Sequence, residues 1–240
     1  MQTILIVGEK FAEFARLGHV QCVNDFEALL VNPAATFADV EFTLGQGVSP
    51  ERVSRLLGLA AARGVRHQLL FEETAKCGRR HVHKERLQNS VISLPQRTAE
   101  HRFEAELFLD DDCELLSDHV AGKHLQGMVL IEAARQMCLA VSEEFFAGRY
   151  PNGAAFLWTA ITVRFLGYAF PSRVFLRYHV LEHSQKQAKA DAFKVEIEFV
   201  QAGNVVAASD IDFETRDKAA VERRESKLAS AAAGAPAAVG

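Results

Sequence analysis

No stretch of this 240-residue chain approaches the ~20 uninterrupted apolar residues of a membrane-spanning helix, so no span is expected. Cysteine is scarce, and the four present, Cys22, Cys77, Cys113 and Cys138, are scattered without CxxC spacing. That excludes a zinc ribbon and a disulfide framework, and the four are read as reduced thiols. Basic residues are not in excess: 27 Lys and Arg stand against 31 Asp and Glu, for a formal net charge of -4. Nucleic acid is therefore not an expected partner. The opening MQTILIVGEK lacks a basic lead and has only a short apolar run, unlike a secretory signal, so a cytoplasmic location is expected. Gly8 is followed by neither GxGxxG nor GK[ST], which disfavours nucleotide binding. No Gly-x-Ser-x-Gly appears and no cysteine sits in a recognisable nucleophile motif, which disfavours covalent catalysis. Neither a metal site nor a cofactor is expected.

The 49% hydrophobic and 24% charged residues suit a soluble globular protein, and the length suits one full domain with a small companion. From Thr3 to Phe71 the runs TILIV, VQCV, ADVEFTL and RHQLLF are strand-like, while Phe11 to Leu17 and Pro50 to Arg63 are helical in pattern. Ser49 as N-cap, Pro50 at the first helical position and Gly64 past the end bound the second helix. Residues 1–78 are thus read as a small Rossmann-like α/β domain of open role. Residues 72–87, EETAKCGRRHVHKERL, read as a polar, basic linker; His81, His83 and Lys84 could approach a substrate phosphate, but the ordinary reading of such a run is solvated.

Residues 79–215 carry a different pattern. Strand-like SVISL (90–94) and EHRFEAELFL (100–109) precede the acidic DDDCELLSDH, and a long apolar helix follows from Gln126 to about Phe146. Four more strands fit AAFLWTAITVRFLGYAF, RVFLRYHVL, FKVEIEFV and VVAASDIDF; Lys194, Glu196 and Glu198 alternate with Val195, Ile197 and Phe199. Trp158 is expected in the core, and His179 and His183, near Glu182, at a solvated strand end. A helix that is apolar on most sides must be enclosed, and an antiparallel sheet curled around it does so. The expected class is α+β, a hotdog fold with a small N-terminal α/β domain. Joining two sheet edges would remove an exposed strand, so a homodimer is expected. Residues 216–240 run from charged to Ala-rich and are expected to lose order from about 227.

The segment SDHVAGKHLQGMVLIEAARQM (117–137) gathers His119 and His124 in a loop and Glu132, Arg135 and Gln136 on the following helix. Glu132 and Arg135, three apart, share a helical face, where each is the other's countercharge among apolar Met128, Ile131, Ala134 and Cys138. A carboxylate there and a loop histidine can share proton transfers, while N–H groups near Gly127 polarise a thioester carbonyl. The bland alternative is a pair that brings nothing more than bracing to the helix or a dimer seam, with histidines bonded to loop carbonyls.

These residues resemble the A-factor biosynthesis hotdog family. HVHK (81–84) is similar to the family's VHK opening and EAARQ to its EAxRQ. Asp118 and His119 match a first DH, His124 a second histidine, and Gly127 and Met128 the GM. Lys123 stands where an aspartate is usual, Leu125 and Gln126 replace Val-Pro, and one hotdog unit stands where the A-factor synthase has two. The resemblance implies transfer of a β-ketoacyl group from an acyl-carrier-protein or coenzyme A thioester to a hydroxyl of a dihydroxyacetone-phosphate-like acceptor, in butyrolactone-type biosynthesis. It implies catalytic Glu132, Arg135, His119 and His124, and substrate contacts from Gly127, Met128, Gln136 and Asp118. A β-hydroxyacyl thioester dehydratase, a thioesterase and a non-catalytic carrier-docking partner are the alternatives.

Overall fold

The computed structural model describes residues 2–71, 75–117, 122–146, 148, 150, 153–186 and 190–234. Its first sheet comprises β1 (Gln2–Val7), β2 (Val20–Cys22), β3 (Val40–Leu44) and β4 (Leu69–Leu70), all parallel, in the order β2-β1-β3-β4. Helices α1 (Val23–Val31) and α2 (Pro50–Ala62) connect its strands. The Ser49 hydroxyl accepts from the Arg52 N–H at 3.3 Å and Pro50 occupies the first turn, as the sequence predicts. One expectation fails locally. Phe11 to Leu17 forms two short 3-10 turns, because Phe11 and Phe14, three apart, are both drawn into the core beneath. VQCV supplies β2 as expected, and the chain runs directly on into α1, a helix with no sequence expectation, whose buried stripe is Val23, Phe26 and Leu30.

The chain then crosses α3 (Arg79–Val82), β5 (Gln96–Ala99), β6 (Arg102–Glu106), α4 (Glu114–Ser117), α5 (Gly127–Phe145), β7 (Ala154–Phe165), β8 (Phe175–Lys186), β9 (Ala190–Gln201), β10 (Asn204–Asp217) and α6 (Lys218–Gly234). Strands β5 to β10 form one antiparallel sheet in the order β5-β6-β8-β9-β10-β7. It wraps α5, which packs on β7, β8 and β10 and buries eleven of its nineteen residues. This is the hotdog arrangement, and Val195, Ile197 and Phe199 point into its core as the alternation requires. SVISL is not a strand of this sheet: among the described residues it makes only the isolated bridges Lys76–Ser93 and Ile92–Leu107, and the first regular strand begins at Gln96. Helix α6 continues past residue 227 with no buried residue; its first turns rest on β7 and β10, and the helix propensity of Ala, Glu, Lys and Arg favours the exposed remainder.

The two sheets are joined by polar bonds as well as apolar packing. Val7, Phe11, Phe14 and Val20 belong to the same core as α5, while Ile6, Phe26, Phe42 and Leu56 form a second one. Buried Gln46 donates to the carbonyls of Leu107 (2.9 Å) and Ser172 (3.3 Å), and accepts from the Leu109 N–H (2.8 Å). In parallel sheets the crevice at the carboxyl ends of the strands is where ligands bind. Here hotdog residues fill it: a Cβ on Gly45 would meet the Pro171 carbonyl at 2.3 Å, and one on Gly8 would meet the Asp111 carboxylate at 2.2 Å.

Asp111 is strained electrostatically. One carboxylate oxygen is buried without a partner among the described residues, and the other lies 3.7 Å from the Arg52 guanidinium. Burial, helped by Asp112, Asp110 and Glu9 against Arg52, pushes its pKa up to about 6. The folded state therefore binds this proton more tightly than the unfolded chain, and wild-type stability falls as pH rises from about 4 to about 6. Asp111→Asn should raise stability on the order of 2 kcal/mol at pH 7–8, a gain that vanishes below pH ~4. Thermal melts from pH 4 to 8 measure it, and an equal difference at both ends would contradict the assignment.

Candidate active site

Helix α5 brings Glu132, Arg135 and Gln136 together within about one turn. The Arg135 Nε and Nη2 each donate to Glu132, one per carboxylate oxygen, at 2.8 Å, and Nη2 also reaches the Val82 carbonyl at 3.2 Å. Lys84 Nζ lies 2.9 Å from the same carboxylate, and Gln136 Nε2 donates to it at 2.9 Å. Gln136 is buried and does more: it donates to the Asn89 carbonyl at 2.7 Å and accepts from the Val91 N–H at 2.8 Å. It thereby pins α5 to the segment that leads into the sheet.

Burial by itself would raise the Glu132 pKa, but the donors Arg135, Gln136 and Lys84 outweigh it and hold the carboxyl at about 2. Such a group is a fixed anion at neutral pH. Its physical effect is to align Arg135, whose Nη1 takes no part in the pair and whose side chain lines a cavity of about 740 Å³.

The segment expected to be a solvated linker is instead packed on α5. Val82 is fully buried, His81 lies 3.2 Å from Glu144 and His83 lies 3.2 Å from Glu143. His83 closes α3 in the left-handed region at φ 51, a conformation costing roughly 1–2 kcal/mol for a residue with a Cβ. Its ring lies edge-on to Phe156 at 5.2 Å, and both line the cavity with Arg135, Glu143 and Trp158. Trp158, expected in the core, is half-buried on that wall because β7 is an edge strand. His83 and Lys84, expected to be solvated, thus belong to the site, and Glu143 joins them without a sequence signal of its own; for the first two the pairing of HVHK with EAARQ was the available signal.

The other described candidates lie elsewhere. His124 is exposed with its ring 5.0 Å from that of Tyr168, and Met128 is exposed beside it in sequence. A Cβ on Gly127 would meet the Phe165 ring at 2.8 Å, so this glycine permits close approach of β7 to the helix start. None of the three lines the cavity, since about two helical turns, ~12 Å, separate Gly127 from Arg135. Asp118 and His119 lie outside the described residues. His183, expected to be solvated, stacks on Phe193 at 4.4 Å and approaches the buried Asp191 at 3.3 Å. Burial pushes the Cys22 and Cys77 thiols up to about 11, which leaves little nucleophilic thiolate at neutral pH.

The sequence profile of the A-factor biosynthesis hotdog domain matches residues 69–216. No curated protein matches the chain significantly. Among solved structures, a Pseudomonas aeruginosa protein of unknown function described as a probable thioesterase covers 60% of this chain and 99% of its own, at 12% identity and TM-score 0.40. A Haemophilus influenzae thioesterase covers 52% of this chain and 78% of its own, at 13% identity and TM-score 0.38. AziG of S. sahachiroi covers 52% and 91%, at 17% identity and TM-score 0.37. At these identities the likenesses concern fold alone.

Proposed function

The chain belongs to the A-factor biosynthesis hotdog domain family, and we propose that this acyl-thioester-processing hotdog protein transfers a β-ketoacyl group from a carrier-protein or coenzyme A thioester to a hydroxyl of a dihydroxyacetone-phosphate-like acceptor. The observation that carries this reading is the shared cavity: Arg135, aligned by ionised Glu132, on one wall, and His83 with Glu143 beside it.

In this mechanism the acceptor oxygen bonds to the thioester carbonyl carbon while His83 takes the hydroxyl proton. Glu143 steadies the imidazolium that forms, 3.2 Å away. The carbonyl oxygen becomes an oxyanion facing the Arg135 guanidinium. When the tetrahedral intermediate collapses, the C–S bond breaks and the thiolate takes the proton from His83. Glu132 is a positioning residue, and Gln136 holds the helix in register. His124, with Gly127 and Met128, is assigned to the approach of the donor at the start of α5. A Glu132 held near pKa 2 is a poor proton donor, which favours transfer over a dehydratase in which it would supply the acid.

We also assign a homodimer through β7. This edge strand and the turn beyond it expose Ile161, Phe165, Leu166, Tyr168 and Phe170, an apolar stripe that a second copy would cover.

Intact-mass and product analysis of the protein with a β-ketoacyl carrier-protein thioester, with and without dihydroxyacetone phosphate, tests the reaction. Acyl loss that depends on the acceptor, with Arg135→Ala lowering kcat/KM about 10²- to 10³-fold, is expected. Loss independent of the acceptor would make the protein a thioesterase. Inertness in both arms, with water lost from a β-hydroxyacyl thioester, would make it a dehydratase.

A further inference from the structure

We infer that the rim of this cavity is a phosphate-monoester subsite formed by Arg80 and Lys218, with Arg135 on the wall beside it adding to the positive field. The inference rests on the transfer reading for the identity of the acceptor, but the subsite itself stands on charge and placement.

Three elements far apart in the chain converge there: α3 supplies Arg80, α5 supplies Arg135 and the first residue of α6 supplies Lys218. In a chain with a formal net charge of -4 this clustering of cations has no general cause. The only carboxylate among the described lining residues, Glu143, is engaged by His83 at 3.2 Å. Glu132 faces two cations, Arg135 and Lys84, so it leaves that cluster positive. Arg80 has no hydrogen bond or ion pair among the described residues, and Lys218 reaches a carboxylate, Glu222, at 3.9 Å. Among the described residues Arg80 is thus unpaired and Lys218 has one long carboxylate contact, so the rim carries an excess of positive charge.

Lys218 is held in place by its backbone. Its N–H donates to the Gly153 carbonyl at 3.2 Å, and its side-chain stem runs 3.8 Å from where a Cβ on Gly153 would lie. Gly153 has φ 88, a left-handed conformation that suits a residue without a side chain. The facing wall, Leu139, Ala154, Phe156 and Trp158, is apolar and suits the carbon part of a ligand. The Arg80 guanidinium and the Lys218 ammonium match the charge and the oxygens of a monoester dianion better than a single carboxylate.

Two sources carry this chemistry: the phosphate of the acceptor and the 3′-phosphate of a coenzyme A donor. We commit to the acceptor. Isothermal titration of the full-length protein with glycerol 3-phosphate, a non-reacting monoester, should show binding that Lys218→Ala and Arg80→Ala each weaken about tenfold or more, with Lys227→Ala as the control on the exposed face of α6. In the transfer assay the same two variants should lower the preference for dihydroxyacetone phosphate over dihydroxyacetone by about the same factor. A change instead in the preference for coenzyme A over pantetheine thioesters would overturn the acceptor assignment. Absence of glycerol 3-phosphate binding to the wild type, or equal losses with both acceptors, would overturn the subsite. Binding without any acyl transfer would uphold the subsite and defeat the transfer reading.

Discussion

Replacing Glu132 with alanine should destabilise the fold on the order of 3 kcal/mol and abolish the alignment of Arg135. The carboxylate, whose side chain is 15% exposed, is the shared partner of Arg135, Lys84 and Gln136. Its loss leaves two part-buried cations facing one another across the gap, so the cost exceeds that of an exposed ion pair. The pH dependence is distinctive. The Glu132 pKa, near 2 in the fold against an ordinary 4.5, means the unfolded chain binds the proton more tightly. Its contribution is thus fully present above pH ~4.5 and is lost as pH falls toward 2, an amount of roughly 3 kcal/mol. Glu132→Gln keeps the shape without the charge, and its stability should fall less steeply on acidification than that of the wild type. Parallel acid limbs in urea titrations from pH 2 to 7 would remove Glu132 from this role.

Gly8→Ala should cost at least about 3 kcal/mol, although one methyl is added at an unremarkable backbone conformation, φ -68. A Cβ there would lie 1.8 Å from the Gly47 carbonyl oxygen and 2.2 Å from the Asp111 carboxylate. The Gly47 backbone cannot yield cheaply: the Gly8 N–H is bonded to the Gln46 carbonyl at 2.9 Å and the Gly47 N–H to the Leu109 carbonyl at 3.0 Å. The same strip of backbone carries the Gln46 bonds between the sheets, so the clash should loosen their docking. Gly58→Ala, in the exposed middle of α2 with nothing within 4 Å, should raise stability by about 0.5–1 kcal/mol instead. Urea denaturation of the pair, with proteolysis at the junction, measures both; a Gly8→Ala protein as stable as Gly58→Ala would mean that the parallel sheet does not dock this way.

What was legible in the sequence was whatever depends on neighbours close in the chain. The length of α5, the Ser49-Pro50 start of α2 and the β9 alternation follow from periodicity and capping, which act over a few residues. The contact of Glu132 with Arg135 belongs to the same class, since three residues on a helix are adjacent whatever surrounds them. The two 3-10 turns at Phe11 and Phe14 broke this rule because a distant core, and not their own pattern, fixed their conformation.

Chemical character, by contrast, was set by partners far apart in sequence. Lys84 meets Glu132, and His83 meets Glu143, only because α3 docks on α5, and that docking turns a carboxyl read as a proton carrier into a fixed anion. The helix likewise separates His124 and Gly127 from Arg135, although the chain presents them as one motif. Lys218 reaches the same cavity from the far end of the sheet. The sequence by itself determined the helix, the sheet and the family; the tertiary structure decided which charges share a cavity, because Coulomb interactions and desolvation depend on distance and burial in space and not on separation along the chain.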